Sequence, residues 1–184
     1  MANLELDLSD LVTCTRCDLA TSRQRVVVGS GPRHPKLVVV GEAPGRQEDE
    51  GGEPFVGRSG QLLFRLLAEV GLAREDCFVT NVVKCRPPGN RAPRRAEIQA
   101  CRLWLDEQLA QVRPRVLLAL GLTAATSVFG GVSTIGEAHG VVRSTGEGLG
   151  LATYHPAAAL RGGPRVVQVM REDLRRVRAL LEAP

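Results

Sequence analysis

Cys14 and Cys17 form a C-x-x-C pair, Cys85 sits in Lys84-Cys85-Arg86-Pro87-Pro88, and Cys101 follows sixteen residues later. A tight pair with two spaced partners can close four thiolates around one metal centre. Both an iron–sulfur cluster and a structural zinc fit that spacing. The competing reading is four unrelated core thiols. A metal held in this way would staple the N-terminal segment to a distant part of the fold. The fifth cysteine, Cys77, opens the apolar run Cys77-Phe78-Val79 and reads as a core thiol.

A second set of residues suits chemistry on a small polar ligand. Glu42 follows an apolar run, Asn81 lies late in another, and His155 follows a third. Singly, each has an ordinary explanation: a solvated turn carboxylate, a structural amide, a structural imidazole. Together they put one acid, one amide and one imidazole at three separate strand ends, which reads as a built site. Phe55 adds an aromatic ring in Gly51-Gly52-Glu53-Pro54-Phe55-Val56-Gly57. It is either a loop anchor or a stacking platform for a planar ligand such as a base.

The elements that must carry these residues are legible. Leu37 to Val40 is a continuous, mostly β-branched run, as expected for a strand buried on both faces. A Gly-rich loop then extends to Gly57. Ser59 is placed to cap a helix running to about Val70, with Leu62, Leu63, Leu66 and Leu67 on its apolar face. Further strands are expected over Cys77–Val83, Val116–Leu120 and Gly150–Tyr154. Helices are expected over Arg94–Val112, just after Gly121, and over Pro164–Leu181; a short one near Leu4–Val12 completes the set. Strands alternating with helices predict an α/β sandwich with a mainly parallel sheet, its four strands those just named. In such sheets ligands gather at the carboxyl ends of the strands. The 184 residues suit one domain, with residues 1–30 as an N-terminal extension carrying two of the cysteines.

The formal net charge is +4, and Lys36 and Lys84 are the only lysines. Arginine suits bidentate phosphate contacts, and a modest positive charge permits nucleic-acid binding without requiring it. Scarce Asn and Met suit a thermophile. No run is long and apolar enough to span a bilayer. The start, Met1 to Asp7, is acidic and lacks a basic n-region, so a cytoplasmic, prokaryotic location is expected, where metal ligation is favoured over disulfides.

The runs Gly41-Glu42-Ala43-Pro44-Gly45-Arg46-Gln47-Glu48-Asp49, Pro54-Phe55-Val56-Gly57-Arg58-Ser59-Gly60, Asn81-Val82-Val83-Lys84-Cys85-Arg86-Pro87-Pro88 and His155-Pro156-Ala157 resemble family 4 uracil-DNA glycosylases. The resemblance extends from Cys14 to the final helix, with the four runs in order. It implies a three-layer α/β/α sandwich around a central four-stranded, mainly parallel sheet, and a 4Fe–4S cluster on Cys14, Cys17, Cys85 and Cys101. It also implies an enzyme that excises uracil from DNA by hydrolysis and leaves an abasic site; a monomer without a membrane partner is expected. Phe55 would stack on a flipped uracil and Asn81 would pair with its polar edge, while backbone around Gly41 and Ala43 adds a contact. His155 would stabilise the departing anion.

Family 1 relatives carry an aspartate in Gly-Gln-Asp-Pro-Tyr, and this chain has Ala43 at that position. The group that positions water is therefore expected to be Glu42, with Glu48 second. Arg86 and Arg91, in a basic group with Arg94 and Arg95, are either a solvated helix start or a phosphate clamp. The segment His155 to Gly163, expected as a loop, offers Leu160 as a wedge into DNA and Arg161 as a contact; the alternative is a helical turn packed on the sheet. Two other classes compete with an enzyme. An iron–sulfur electron carrier needs no strand-end Glu, Asn and His, and a zinc-stapled binding module retains nucleic-acid affinity without turnover. A dinucleotide or P-loop enzyme is disfavoured because Gly41–Gly45 lacks either glycine spacing.

Overall fold

Runs of β-branched residues become strands because they pack well on a pleated, two-sided surface. In the computed structural model, which describes residues 9–146 and 148–183, these are β1 (Leu37–Gly41), β2 (Cys77–Asn81), β3 (Val116–Leu120) and β5 (Leu149–Thr153). They pair in parallel in the order β2-β1-β3-β5. A fifth strand, β4 (Arg143–Ser144), joins the far edge antiparallel to β5, so the expected four-stranded sheet has five strands. Two residues carry no periodic signal, which is why β4 is invisible in the sequence.

The helices are α1 (Ser9–Val12), α2 (Arg46–Gly51), α3 (Arg58–Glu69), α4 (Arg95–Val112), α5 (Gly121–Phe129), α6 (Ile135–Ala138), α7 (Pro156–Gly162) and α8 (Pro164–Glu182). Alternation along β1 divides the core. Leu37 and Val39 pack with Leu63, Leu66 and Leu67 of α3 and with Met170, Leu174 and Val177 of α8. Val38 and Val40 face the other way, toward Leu105 of α4 and Ala124 and Ala125 of α5. That is the expected three-layer sandwich.

Several boundaries differ from expectation for local reasons. α2 interrupts the segment expected to be a loop; its N-cap is Gly45, and Gly52 ends it in the left-handed conformation. α3 starts at Arg58 with Gly57, not Ser59, at the cap. Pairing in β2 stops at Asn81, although the Val82 and Val83 amides still donate to the Gly41 and Glu42 carbonyls. The segment expected as a loop from His155 to Gly163 is α7: Pro156 supplies a preset first-turn φ and Ala157 to Ala159 carry the turn. Of the helix expected near Leu4–Val12, Ser9–Val12 is helical; the rest, with the acidic start at Met1 to Asp7, lies outside the described residues.

The extension beyond α1 runs as an arm along β2. Val27 N–H donates to the Lys84 carbonyl at 2.8 Å, and Ser30 and Val79 exchange backbone bonds at 2.9 and 2.8 Å. It covers the sheet edge that β2 would otherwise expose. Cys77 is fully buried, and burial pushes its thiol up to about 12, as a core thiol requires. Among the described residues no helix is long and apolar enough to cross a membrane.

Candidate active site

The parallel strands end on one side of the sheet, and a cavity of about 640 Å³ opens there. Its wall includes Glu42, Ala43, Glu48, Phe55, Asn81 and His155, so the residues drawn from separate strand ends do converge. Glu42 follows β1 directly, Asn81 is the last paired residue of β2, and His155 comes two residues after β5. This is where a parallel sheet gathers ligands.

Asn81 is 2% exposed, and its side-chain Oδ1 is buried without a hydrogen-bond partner. A buried orphan acceptor costs about 1–3 kcal/mol and is kept where a ligand supplies the donor. Gly41 is its neighbour across the strands, and a Cβ there would collide with both Asn81 Oδ1 and the Phe55 ring. Gly41 therefore shapes the pocket by having no side chain, although it does not itself line the cavity.

Phe55 is held with φ +57°, a left-handed conformation seldom adopted by an aromatic residue. The constraint comes from the start of α3, where a Cβ at Gly60 would overlap the Phe55 carbonyl. Arg74 grips the same turn, donating to the Pro54 carbonyl at 3.4 Å and to Ser30 Oγ at 2.7 Å. The Phe55 and His155 ring centres lie 6.1 Å apart with the planes tilted by 32°.

His155 caps α7: its Nδ1 accepts the Ala157 N–H at 3.1 Å. The neutral ring must then carry its proton on Nε2. Burial, reinforced by the nearby Arg161 cation, lowers its pKa to about 4. His155 is thus a neutral Nε2–H donor at physiological pH.

The two carboxylates differ in their ties. Glu42 Oε2 accepts the Thr123 hydroxyl at 2.5 Å, from the first turn of α5. Glu48 Oε1 accepts the Gly57 N–H at 2.9 Å, fastening α2 to the turn that carries Phe55. Glu48 is therefore as fixed as Glu42, but one of its oxygens holds structure. Its neighbour Asp49 is buried and accepts the Gln24 and Arg25 amides, anchoring α2 to the N-terminal arm.

The basic residues separate into rim and scaffold. Arg161 lines the cavity, as do Arg46 and Arg58, which were not singled out from the sequence. Arg91 also lines it, but its guanidinium makes a two-point contact with the buried Glu97 at 2.6 and 2.8 Å. Arg86 donates to Asn90 Oδ1 at 2.7 Å and does not reach the cavity wall. Leu160 is 45% exposed on α7, just outside the cavity. Thr123, Tyr154 and Leu122 were also missed. Tyr154 and Leu122 line the cavity, and only Tyr154 had a signal, as one of few aromatics and the neighbour of His155.

The four spaced cysteines come from three places: Cys14 and Cys17 after α1, Cys85 just past β2, and Cys101 on α4. Cys85 lies within electrostatic reach of Cys17 and Cys14, and Cys101 within reach of Cys85 and Cys17. Arg23 links two of them, donating to Cys85 Sγ at 3.4 Å and to the Cys14 carbonyl at 2.6 Å. The Lys84 amide donates to Cys101 Sγ at 3.4 Å. Burial pushes the Cys85 thiol up and the Cys101 thiol to about 11. An all-sulfur donor set with N–H groups aimed at its sulfurs fits a thiolate-held cluster. Among the described residues, no three His, Cys, Asp or Glu side chains are placed to hold a single metal ion.

Comparison with known proteins identifies a family. Residues 28–175 match the family model of the uracil DNA glycosylase superfamily. The chain is 40% identical to the type-4 uracil-DNA glycosylase of Saccharolobus solfataricus, covering all of this chain and 88% of that protein. It is 43% identical to that of Archaeoglobus fulgidus, over 87% of this chain and 84% of the relative. For that of Thermotoga maritima the identity is 40%, over 92% and 90%.

Proposed function

The chain belongs to the uracil-DNA glycosylase superfamily, in its type-4 branch, and from that membership we propose how its residues release uracil from DNA. The reaction is hydrolysis of the N-glycosidic bond of deoxyuridine, leaving an abasic site. The observation that carries the residue assignment is Asn81, whose buried Oδ1 has no hydrogen-bond partner and which lines one cavity with Phe55 and His155.

A base must leave the stack to reach such a cavity. Phe55 stacks on the flipped ring. The Asn81 amide offers one acceptor and one donor, which match the N3–H and O4 of uracil. Cytosine presents an acceptor and a donor in reversed order, so the same amide rejects it. Backbone at Ala43 closes the pocket beside the base, and the missing side chain of Gly41 leaves room for Asn81 and Phe55.

Cleavage leaves negative charge on the base, much of it on O2. The Nε2–H of neutral His155 donates to that oxygen, and a fixed donor in a dry site acts without reorganising as charge develops. The sugar becomes cation-like. Glu42, held by Thr123, lies where a carboxylate can offset that charge and orient the attacking water. Glu48 contributes through the Gly57 turn. Arg161 and Leu160 form the DNA-facing part of the rim, the first for a phosphate and the second for the space the base vacates.

Cys14, Cys17, Cys85 and Cys101 would hold a 4Fe–4S cluster. Its contribution is a cross-link that fixes the N-terminal arm to the end of β2 and to α4. The all-sulfur donor set supports this reading.

The test is release of free uracil from a labelled uracil-containing oligonucleotide, with no added nicotinamide, nucleoside triphosphate or soluble metal. Tight binding without release would replace the enzyme with a binding module.

A further inference from the structure

Lys84 has no place in the chemistry above, yet it is completely buried. It lies three residues after Asn81, on the stretch of chain between the base-facing amide and the cysteines. An ammonium removed from water is costly unless acceptors surround it. Here its Nζ donates to the Asn81 carbonyl at 2.6 Å, to Gln108 Oε1 at 2.6 Å and to Thr80 Oγ1 at 2.7 Å. Burial lowers its pKa to about 7, and these three partners satisfy the nitrogen with or without its third proton, because the Thr80 hydroxyl can donate as well as accept. None of the three acceptors is a carboxylate, so the arrangement is not an ion pair.

The Asn81 carbonyl is the informative partner. The peptide unit joining Asn81 to Val82 is held at both ends: Lys84 Nζ binds its oxygen, and its N–H donates to the Gly41 carbonyl at 2.9 Å. That plane sets the direction in which the Asn81 side chain leaves the backbone. The side-chain oxygen has no hydrogen bond of its own to hold it. The aim of the amide therefore depends on the backbone and on the close approach of Gly41 and Phe55.

We propose that Lys84 is a positioning residue for base recognition, its Nζ clamping the Asn81 carbonyl and so fixing the angle at which the Asn81 amide meets the base. This rests on the reading of Asn81 as the base-pairing residue. Lys84 does not line the cavity, so it acts through Asn81 and touches neither base nor water. Its own amide donates to Cys101 Sγ, which ties the clamp to α4 and makes the cysteine region part of the support for the base pocket.

The test uses the full chain and free uracil as the probe. Methionine replaces the lysine stem without the ammonium, so Lys84→Met is compared with Asn81→Ala, the double variant, and Val177→Ala. The last truncates the core on the opposite face of the sheet. Four quantities are read: melting temperature, uracil inhibition constant, single-turnover rate, and affinity for uracil-free DNA.

Lys84→Met is expected to weaken uracil inhibition and slow turnover by about tenfold, the size of one lost hydrogen bond. The double variant should lose no more than Asn81→Ala alone. Affinity for uracil-free DNA should stay unchanged. Val177→Ala should lower the melting temperature without moving the uracil constant.

A Lys84→Met that lowers only the melting temperature overturns the proposal, as do effects of Lys84→Met and Asn81→Ala that multiply. If Asn81→Ala leaves uracil inhibition intact, the reading of Asn81 is wrong, and the Lys84 proposal falls with it. Should Lys84→Met be too unstable to purify, Lys84→Met/Gln108→Met removes the stranded acceptor and carries the same readouts.

Discussion

The Nδ1 atom of His155 accepts the backbone N–H of Ala157, two residues further along the chain. One bond does two jobs: it starts α7, and it leaves the proton of the neutral ring on Nε2, the donor proposed for the departing base. His155→Ala is expected to slow glycosidic cleavage by roughly 10²–10³-fold, the usual loss for one oxyanion donor. Affinity for uracil-containing DNA should fall much less. Single-turnover kinetics beside equilibrium binding separate the two.

The same imidazole makes a prediction about pH. Its pKa lies below the ordinary 6.5, at about 4, so the unfolded chain binds a proton that the folded chain refuses between those values. The stability it contributes is fully present above about pH 6.5 and is lost as pH falls toward 4. Cleavage should show no acidic limb from His155 near pH 6.5. His155→Asn keeps an N-cap acceptor. Melting curves across pH 4–7 should therefore fall less steeply for His155→Asn than for the parent. Parallel curves would remove His155 as the source.

The carboxylates should separate by what their oxygens hold. Glu42→Gln keeps the contact with Thr123 and removes the charge, so it should slow cleavage without abolishing DNA binding. Glu48→Gln retains an oxygen for the Gly57 amide and should matter less, whereas Glu48→Ala releases the Phe55 turn and should cost stability as well as rate. Single-turnover rates and melting temperatures of the three variants check this. A Glu48→Gln more damaging than Glu42→Gln would reverse the order.

What the sequence disclosed follows from which signals are local. Leu37–Val40 and Val116–Leu120 announce buried strands because uninterrupted apolar runs of that length have few other uses. Glu42, Asn81 and His155 were found because strand ends in a parallel sheet are where ligands bind, and the sheet brings them to one cavity. α7 was read as a loop because Pro156 and Gly163 punctuate a run too short for helical periodicity. Thr123 and Lys84 escape a sequence reading for another reason: Glu42 and Gln108 are remote from them in sequence, and the Asn81 atom that Lys84 binds is backbone. A lysine is almost never fully buried, so its burial beside Thr80 and Gln108 is knowable only from the fold.

The cysteines give a prediction with a colour. Protein purified without oxygen should be brown and carry about four irons per chain, as a cysteine-held cubane does. Cys101→Ser should lower the melting temperature and loosen the arm bound to β2, detectable as faster amide exchange at Val27 and Ser30. Colourless, fully active protein with one zinc per chain would overturn the cluster.

Asn81 leads to a prediction in which function and stability part company. Its Oδ1 has no partner in the free protein, so that atom adds no hydrogen bond to the fold. Asn81→Ala should therefore leave the melting temperature nearly unchanged, since the truncated amide also relieves a buried, unsatisfied acceptor. The response to ligand should differ sharply. Free uracil binds only the folded parent and should raise its melting temperature as the base concentration exceeds its dissociation constant. Asn81→Ala should show no such rise at the same concentrations. Asn81→Asp should lose uracil cleavage and narrow the preference over cytosine, because an ionised carboxylate accepts from an amine but cannot donate to a carbonyl. Melting curves with and without uracil, with single-turnover rates on uracil and cytosine substrates, decide the matter. An Asn81→Ala that melts far below the parent yet still responds to uracil would make the residue structural and move base recognition elsewhere in the cavity.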